Sequence, residues 1–192
     1  MQHILIATRN SHKTKEIRQM LDGHFIVEDL NARDHWPEIE ETADTFAGNA
    51  ALKALGISVL YDGIVLADDS GLEVDSLGGE PGVWSARYAG ENATDADNRA
   101  LLLKRLDGKP SSGRFRCSMV LAQAGVELAT FDGAVEGTVI NDERGAGGFG
   151  YDPLFLPDGF FNTFAELPSE TKNQLSHRAR ALEQAVRFLG QL

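Results

Sequence analysis

The apolar stretch Gly63-Ile64-Val65-Leu66 runs directly into Ala67-Asp68-Asp69-Ser70-Gly71. Carboxylates are normally solvated or paired, and placing them at the end of an apolar strand is costly. Two neighbouring acids also repel unless a cation or a shared proton relieves them. A divalent metal is the simplest relief, and open α/β sheets bind their ligands at strand ends. The run therefore marks Asp69, with Asp68 beside it, as a candidate metal-dependent site. A second acid pair, Glu40-Glu41, shortly precedes a predicted helix that starts near Thr45. Acids there complement the helix dipole; as metal ligands they would join Asp69. A hard cation such as Mg²⁺ takes one or two carboxylates and completes its shell with water and phosphate oxygens.

Three further clusters carry chemistry. Thr8-Arg9-Asn10-Ser11-His12-Lys13 follows a short strand and opens a helix. Backbone N–H groups at a helix start, with the dipole behind them, attract anions. Thr8, Asn10 and Ser11 add neutral donors and Lys13 a charge, which suits a polyphosphate. The run is not a Walker A loop, which needs Gly-x-x-x-x-Gly-Lys-Ser/Thr. Gly145-Ala146-Gly147-Gly148-Phe149-Gly150 matches Gly-x-Gly-x-x-Gly, but Tyr151-Asp152-Pro153 follows where a dinucleotide fold needs a helix. The glycines are expected to let backbone approach a ligand closely. Phe149 would stack on a flat ring, and Tyr151 or Asp152 would add a polar contact. Lys172 and the group Ser176-His177-Arg178 stand at the start of the last helix, where cations oppose the dipole. His177 and Arg178 can donate hydrogen bonds to a ring carbonyl.

The elements that must position these residues follow from periodicity. Ile4 to Ala7 and Ile64 to Ala67 read as short buried strands. Helices are expected from Ser11, as N-cap, to about Leu21, from about Thr45 to Leu55, from Thr94 to Leu106, and from about Ser176 to Leu189. In Arg114 to Gln123, Phe115, Cys117, Met119 and Leu121 alternate with polar residues, as in a half-buried strand. Val126 to Phe131 and Ala134 to Ile140 continue an antiparallel meander. Helices mixed with hairpins predict an α/β protein with a mixed sheet. A chain of 192 residues forms one domain, or one domain of two lobes.

Composition narrows the class. The formal net charge is −11, which argues against non-specific nucleic-acid binding. A small anionic substrate is still admissible, because a few local cations and a metal reverse the field at a site. The single cysteine, Cys117, has no internal disulfide partner and fits a reducing compartment as a core thiol. No apolar segment is long enough to span a membrane, and Arg9 follows Ile4-Leu5-Ile6-Ala7 too soon for a secretory signal. The expected location is the cytoplasm.

Taken in order, the motifs form a pattern. Thr8-x-Asn10-x-x-Lys13, Glu41-Thr42 with Phe46 and Asn49-Ala50, and Ala67-Asp68-Asp69-Ser70-Gly71-Leu72 are followed by Pro81-Gly82-Val83-Trp84-Ser85-Ala86-Arg87-Tyr88. Gly148-Phe149-Gly150-Tyr151-Asp152-Pro153 and Ser176-His177-Arg178 complete it. Across nearly its whole length the chain resembles the Ham1 family of inosine triphosphate, or non-canonical purine nucleoside triphosphate, pyrophosphatases. The resemblance implies an elongated mixed α/β domain over residues 1–192 with two lobes, a central nucleotide-binding cleft, and a homodimer. It implies Mg²⁺-dependent hydrolysis of ITP, dITP and XTP to the monophosphate and pyrophosphate, which cleanses the nucleotide pool.

Carried over motif by motif, the run from Thr8 to Lys13, with Lys53, would hold the triphosphate. Asp69 would be general base and metal ligand, and Ser70 a substrate contact. Glu41 would be the second metal ligand, with Glu40 and Asp68 as alternatives. Phe149, Gly150, Tyr151, Asp152, Lys172, His177 and Arg178 would frame the base. Arg9 departs from the pattern, since the family often has glycine there; it would either crowd the loop or add a phosphate contact. The competing readings are a triphosphatase with another base preference, such as a modified pyrimidine, and a non-catalytic purine nucleotide sensor.

Overall fold

The computed structural model describes residues 2–21, 23, 25–32 and 35–191. Its strands are β1 (Gln2–Ile6), β2 (Phe25–Asp29), β3 (Ile64–Val74), β4 (Ser111–Gln123), β5 (Val126–Val139) and β6 (Phe155–Pro157). They form a sheet in the order β2-β1-β3-β4-β5-β6. β1 pairs in parallel with β2 and β3, whereas β5 and β6 are antiparallel, so the sheet is mixed as expected. The helices are α1 (Ser11–Met20), α2 (Phe46–Ser58), α3 (Asp95–Leu106), α4 (Ser169–Leu175) and α5 (His177–Leu189).

The chain divides into two compact units. The first comprises residues 1–69, 117–133 and 178–192, and the second residues 70–116 and 134–177. In the first unit, side chains of alternate strand residues enter two cores. Ile4, Ile6, Ile64, Leu66, Cys117, Met119 and Leu121 pack with Ile17 and Leu21 at α1 and with Leu182, Ala185 and Leu189 of α5. Leu5, Ala7, Val65, Ala67, Val120 and Ala122 pack instead with Ala50, Ala54 and Ile57 of α2. Both faces are therefore covered, which is why these short strands read as unbroken apolar runs. In the second unit, Leu102 and Leu106 of α3 close over Leu72, Val74, Phe115, Val139, Leu154, Phe155 and Phe164.

Several expected boundaries move. β3 runs on through Asp68, Asp69 and Ser70 to Val74, so the acids lie within a strand and not in a turn after it. β5 is one strand where two were expected, and β2, β6 and α4 were not anticipated. Asn10 caps α1 in place of Ser11, its side chain accepting from the N–H groups of His12 and Lys13. Thr94 caps α3 as expected, in a reciprocal capping box with Asp97. Pro153 lies in a 3-10 turn, Asp152–Leu154, and extended chain begins only at Phe155.

Cys117 is a buried core thiol, as its place in an alternating run implies. Burial, helped by the nearby Asp68 carboxylate, pushes its pKa up to about 12. Only the thiolate reacts with alkylating reagents. In the folded protein at pH 8, Cys117 should therefore resist iodoacetamide, while in denaturant one equivalent should be taken up, as counted by mass spectrometry.

Candidate functional site

The alternation that builds the two cores also separates the adjacent acids. Asp68 shares its parity with Ile64 and Leu66, whose side chains enter the α1/α5 core; Asp69 shares its parity with Val65 and Ala67, which face α2. Each acid meets its own set of cations. Asp68 is fully buried, with Lys13 Nζ at 3.0 Å and Arg178 Nη2 at 3.4 Å. Arg178 Nε also approaches Asp68 Oδ2 at 3.4 Å, and Arg178 Nη1 pairs with Glu16. Glu16, Arg178, Asp68 and Lys13 thus form a chain of alternating charge. Burial works to raise the Asp68 pKa, but Lys13 and Arg178 outweigh it and hold this carboxyl well below its ordinary 3.8.

Asp69 faces a different set. Its Oδ2 accepts from Asn49 Nδ2 at 3.1 Å, and Lys53 Nζ lies 3.9 Å from its Oδ1. Lys53 also pairs with Glu41. Asn49 is fully buried, and its Oδ1 accepts from Ala43 N–H at 2.9 Å. This one amide therefore ties the segment carrying Glu41 to the carboxylate on β3. Of the neighbouring acids, Glu41 faces Lys53 while Glu40 is exposed. Burial raises the Asp69 pKa despite Lys53, and Glu41 adds to the rise. Burial alone would lower Lys53, but Asp69, Glu41 and Asp68 together hold it above its ordinary value. Asp68 and Asp69 are thus perturbed in opposite directions.

The loop before α1 is organised by its own side chains. Asn10 Oδ1 takes the N–H groups of His12 and Lys13, and Thr8 Oγ1 takes that of Asn10. The cap thus competes with an anion for the backbone donors expected to serve it. The Arg9 guanidinium turns to backbone carbonyls, bonding Trp36 O at 2.7 Å.

In the second unit, the remaining residues gather on Asp152. This buried carboxylate accepts from Phe149 N–H at 2.9 Å and pairs with the buried Lys172 ammonium. Lys172 Nζ also sits 5.1 Å from the Phe149 ring centroid and 5.6 Å from that of Phe164, within cation–π range. Here the glycines serve the protein's own packing. A Cβ on Gly148 would fall 1.9 Å from Asp152 Oδ2, and one on Gly145 would fall 2.5 Å from Ala165 backbone. The Gly150 peptide is gripped at both ends by α3: its N–H donates to Asp95 at 2.7 Å and its carbonyl accepts from Arg99 at 2.9 Å. Tyr151 donates from its hydroxyl to Ser85 O at 2.8 Å. His177 is buried and stacks on Phe115, with centroids 4.9 Å apart and planes 11° from parallel. Ser70 is half-buried on β3.

Lys172, His177 and Arg178, expected at a helix start, are buried and engaged. The residues to which reasoning from sequence gave no role are Asn49, Glu16, Asp95 and Arg99. Asn49 alone left a signal, a polar residue on a helix face otherwise lined by Ala50, Ala54 and Ile57.

The Ham1 family model matches residues 4–188. The dITP/XTP pyrophosphatase of Bacillus licheniformis is 47% identical over 195 aligned positions, covering 100% of both chains. That of Geobacter sulfurreducens is 46% identical, covering 99% of this chain and 98% of its own. Among solved structures, a HAM1 protein from Coxiella burnetii superposes with a TM-score of 0.89 at 37% identity over 100% of both chains. The Staphylococcus aureus Ham1 protein gives 0.87 at 36% identity over 98% of each.

The Asp68 network makes a stability prediction. Removing one member of a buried charge network strands the others, at a cost of about 3–5 kcal/mol. Asp68→Asn should lower unfolding stability at pH 7 by that amount in urea titrations. A carboxyl with a depressed folded pKa stabilises above its unfolded pKa and loses that contribution as pH falls toward the folded one. The wild type should therefore lose stability on acidification below about pH 4, and Asp68→Asn should flatten that limb. A variant as stable as wild type would refute the network.

Proposed function

The chain belongs to the Ham1 family, and from that premise we propose that it hydrolyses non-canonical purine nucleoside triphosphates, dITP, XTP and ITP, to the monophosphate and pyrophosphate. The observation that carries this reading is the Asp69–Lys53–Glu41 constellation, with Lys13 secured on the opposite face of the same strand. Residues 1–192 act as one catalytic domain. The work of the enzyme is to remove aberrant purines from the nucleotide pool.

The donor set suits a hard divalent cation. Glu41 and Asp69 converge on one ammonium, and Glu41 adds to the rise that burial gives the Asp69 pKa. No group of three or more acidic, His or Cys ligands occurs among the described residues, so phosphate oxygens and water would complete the shell, as is usual for Mg²⁺. Glu41 and Asp69 would hold Mg²⁺, which when bound neutralises and orients the phosphates.

Asp69 takes a proton from a water that attacks the α-phosphorus. The bond from that phosphorus to the bridging oxygen breaks and pyrophosphate leaves. Burial that raises the Asp69 pKa also makes it a stronger base than an exposed aspartate. Asn49 orients it. Lys13 and Lys53 offset the charge on the phosphates, and Thr8, Asn10, Ser11 and His12 surround them. Ser70 is a further substrate contact.

Phe149 stacks on the purine, and Gly150, Tyr151, Asp152, Lys172 and His177 set its surroundings. Arg178 donates to the 6-oxo edge, its orientation set by Asp68 and Glu16. Adenine presents an amino donor at that edge and leaves donors unpaired. The homodimer follows from the family resemblance, and the cytoplasmic location from the reading of Cys117 as a reduced core thiol; among the described residues no helix is long and apolar enough to cross a membrane.

Pyrophosphate release should be measured from dITP, XTP, GTP and ATP, with Mg²⁺ and with EDTA. Each unpaired buried polar group costs about 1–3 kcal/mol, so dITP and XTP should exceed ATP by roughly 10–100-fold. EDTA should abolish turnover. Equal turnover of all four substrates would refute the selectivity. Loss of a general base costs about 10²–10⁴-fold, which is the drop expected for Asp69→Asn with nucleotide binding retained.

A further inference from the structure

We propose that Arg9 is a positioning residue: it clamps the Thr8–Lys13 loop to Leu30, Asn31 and Trp36, and acts on a bound triphosphate through that loop without touching it. The proposal rests on the triphosphate assignment above. The clamp is two-way. From the loop, Arg9 Nη2 donates to Trp36 O at 2.7 Å, and Nη1 approaches Leu30 O at 3.5 Å. Toward the loop, Leu30 N–H donates to Thr8 O at 3.3 Å and Asn31 Nδ2 to Arg9 O at 3.2 Å. Asn31 is itself fixed, its N–H donating to Asp29 at 3.0 Å.

The anchor is firm. Trp36 is buried in the α2 core, and its ring meets Tyr61 edge-on, with centroids 6.2 Å apart. A loop that holds an anion must keep its carbonyl oxygens away from it, because they repel the same charge that its N–H groups attract. The clamp meets that need by giving the carbonyls of Thr8 and Arg9 partners in Leu30 and Asn31. The bond of the guanidinium to Trp36 O ties the loop to the α2 core, and that tie is the part assigned to Arg9. Lysine lacks the planar fork that reaches two carbonyls at once, so it replaces arginine only in part.

The test compares wild type, Arg9→Ala and Arg9→Lys by three readouts. The first is amide hydrogen exchange of the nucleotide-free protein. Peptides covering 7–13 and 25–36 should exchange faster in Arg9→Ala, with Arg9→Lys between. The second is steady-state kinetics on dITP. Loss of a charge-assisted clamp should raise KM about tenfold in Arg9→Ala, with kcat unchanged. The third is calorimetric affinity for inorganic tripolyphosphate, which needs no turnover and should weaken by the same factor.

Higher KM without faster exchange would mean that Arg9 touches the phosphates, and would overturn the proposal. Faster exchange with unchanged tripolyphosphate affinity would overturn it too, leaving Arg9 a purely structural residue. A wild type that hydrolysed no non-canonical triphosphate would refute the function proposed above, while exchange and tripolyphosphate affinity would still decide on the clamp.

Discussion

The period of two along β3 is the constraint on which the first unit depends. Adjacent carboxylates on a helix or in a loop can face one solvent patch and repel. On a strand they point to opposite faces. Asp68 and Asp69 therefore make their direct ion pairs separately, and each draws them from a different layer of helices. Lys13 and Arg178 arrive from α1 and α5, and Lys53 arrives from α2. Slipping the register by one residue would exchange the two acids and bury each against the wrong helix. The apolar neighbours forbid that slip, because Leu66 and Ala67 would change cores with them.

The second unit solves a similar problem with one buried acid. Asp152 collects the Lys172 ammonium and the Phe149 amide, so the charge of each ion is matched where water is excluded. The carboxylate can approach the Phe149 amide only because Gly148 has no Cβ and takes φ near +69°. Lys172 in turn lies over the rings of Phe149 and Phe164. The orientation of an aromatic ring in a glycine-rich loop is thus set by an ion pair. That gives the loop a defined shape despite a composition that favours freedom.

What could be read from sequence was what periodicity and cap chemistry encode locally. The last helix, the Thr94 cap and the core position of Cys117 are of that kind. The acid run reads as costly and points to a metal at Asp69. That the two acids lie on opposite faces of one strand is not legible while the strand is read as ending at Ala67. Asn10 displaced Ser11 as cap because its longer side chain reaches two N–H groups, a contest that residue type alone leaves open. The roles of Glu16, Asp95 and Arg99 depend on partners more than 50 residues away, and no local pattern announces such pairs.

The division of labour between the two acids follows from their opposite perturbation. Asp68, held ionised by Lys13 and Arg178, stays a fixed negative charge across the neutral range and loses its stabilising contribution only on acidification. Asp69 has the opposite sign. Its raised pKa favours folding below its ordinary value, and that contribution is lost as pH rises through the folded pKa. Ionised Asp69 is therefore the less comfortable of the pair and the more basic. A proton taken from water is better held by Asp69 than by its neighbour. Because the two residues are consecutive on one buried strand, the backbone that aims Asp69 also fixes the acid that pairs with Lys13. The placing of Asp69 relative to the ion pair of Lys13 and Asp68 is then set by strand geometry.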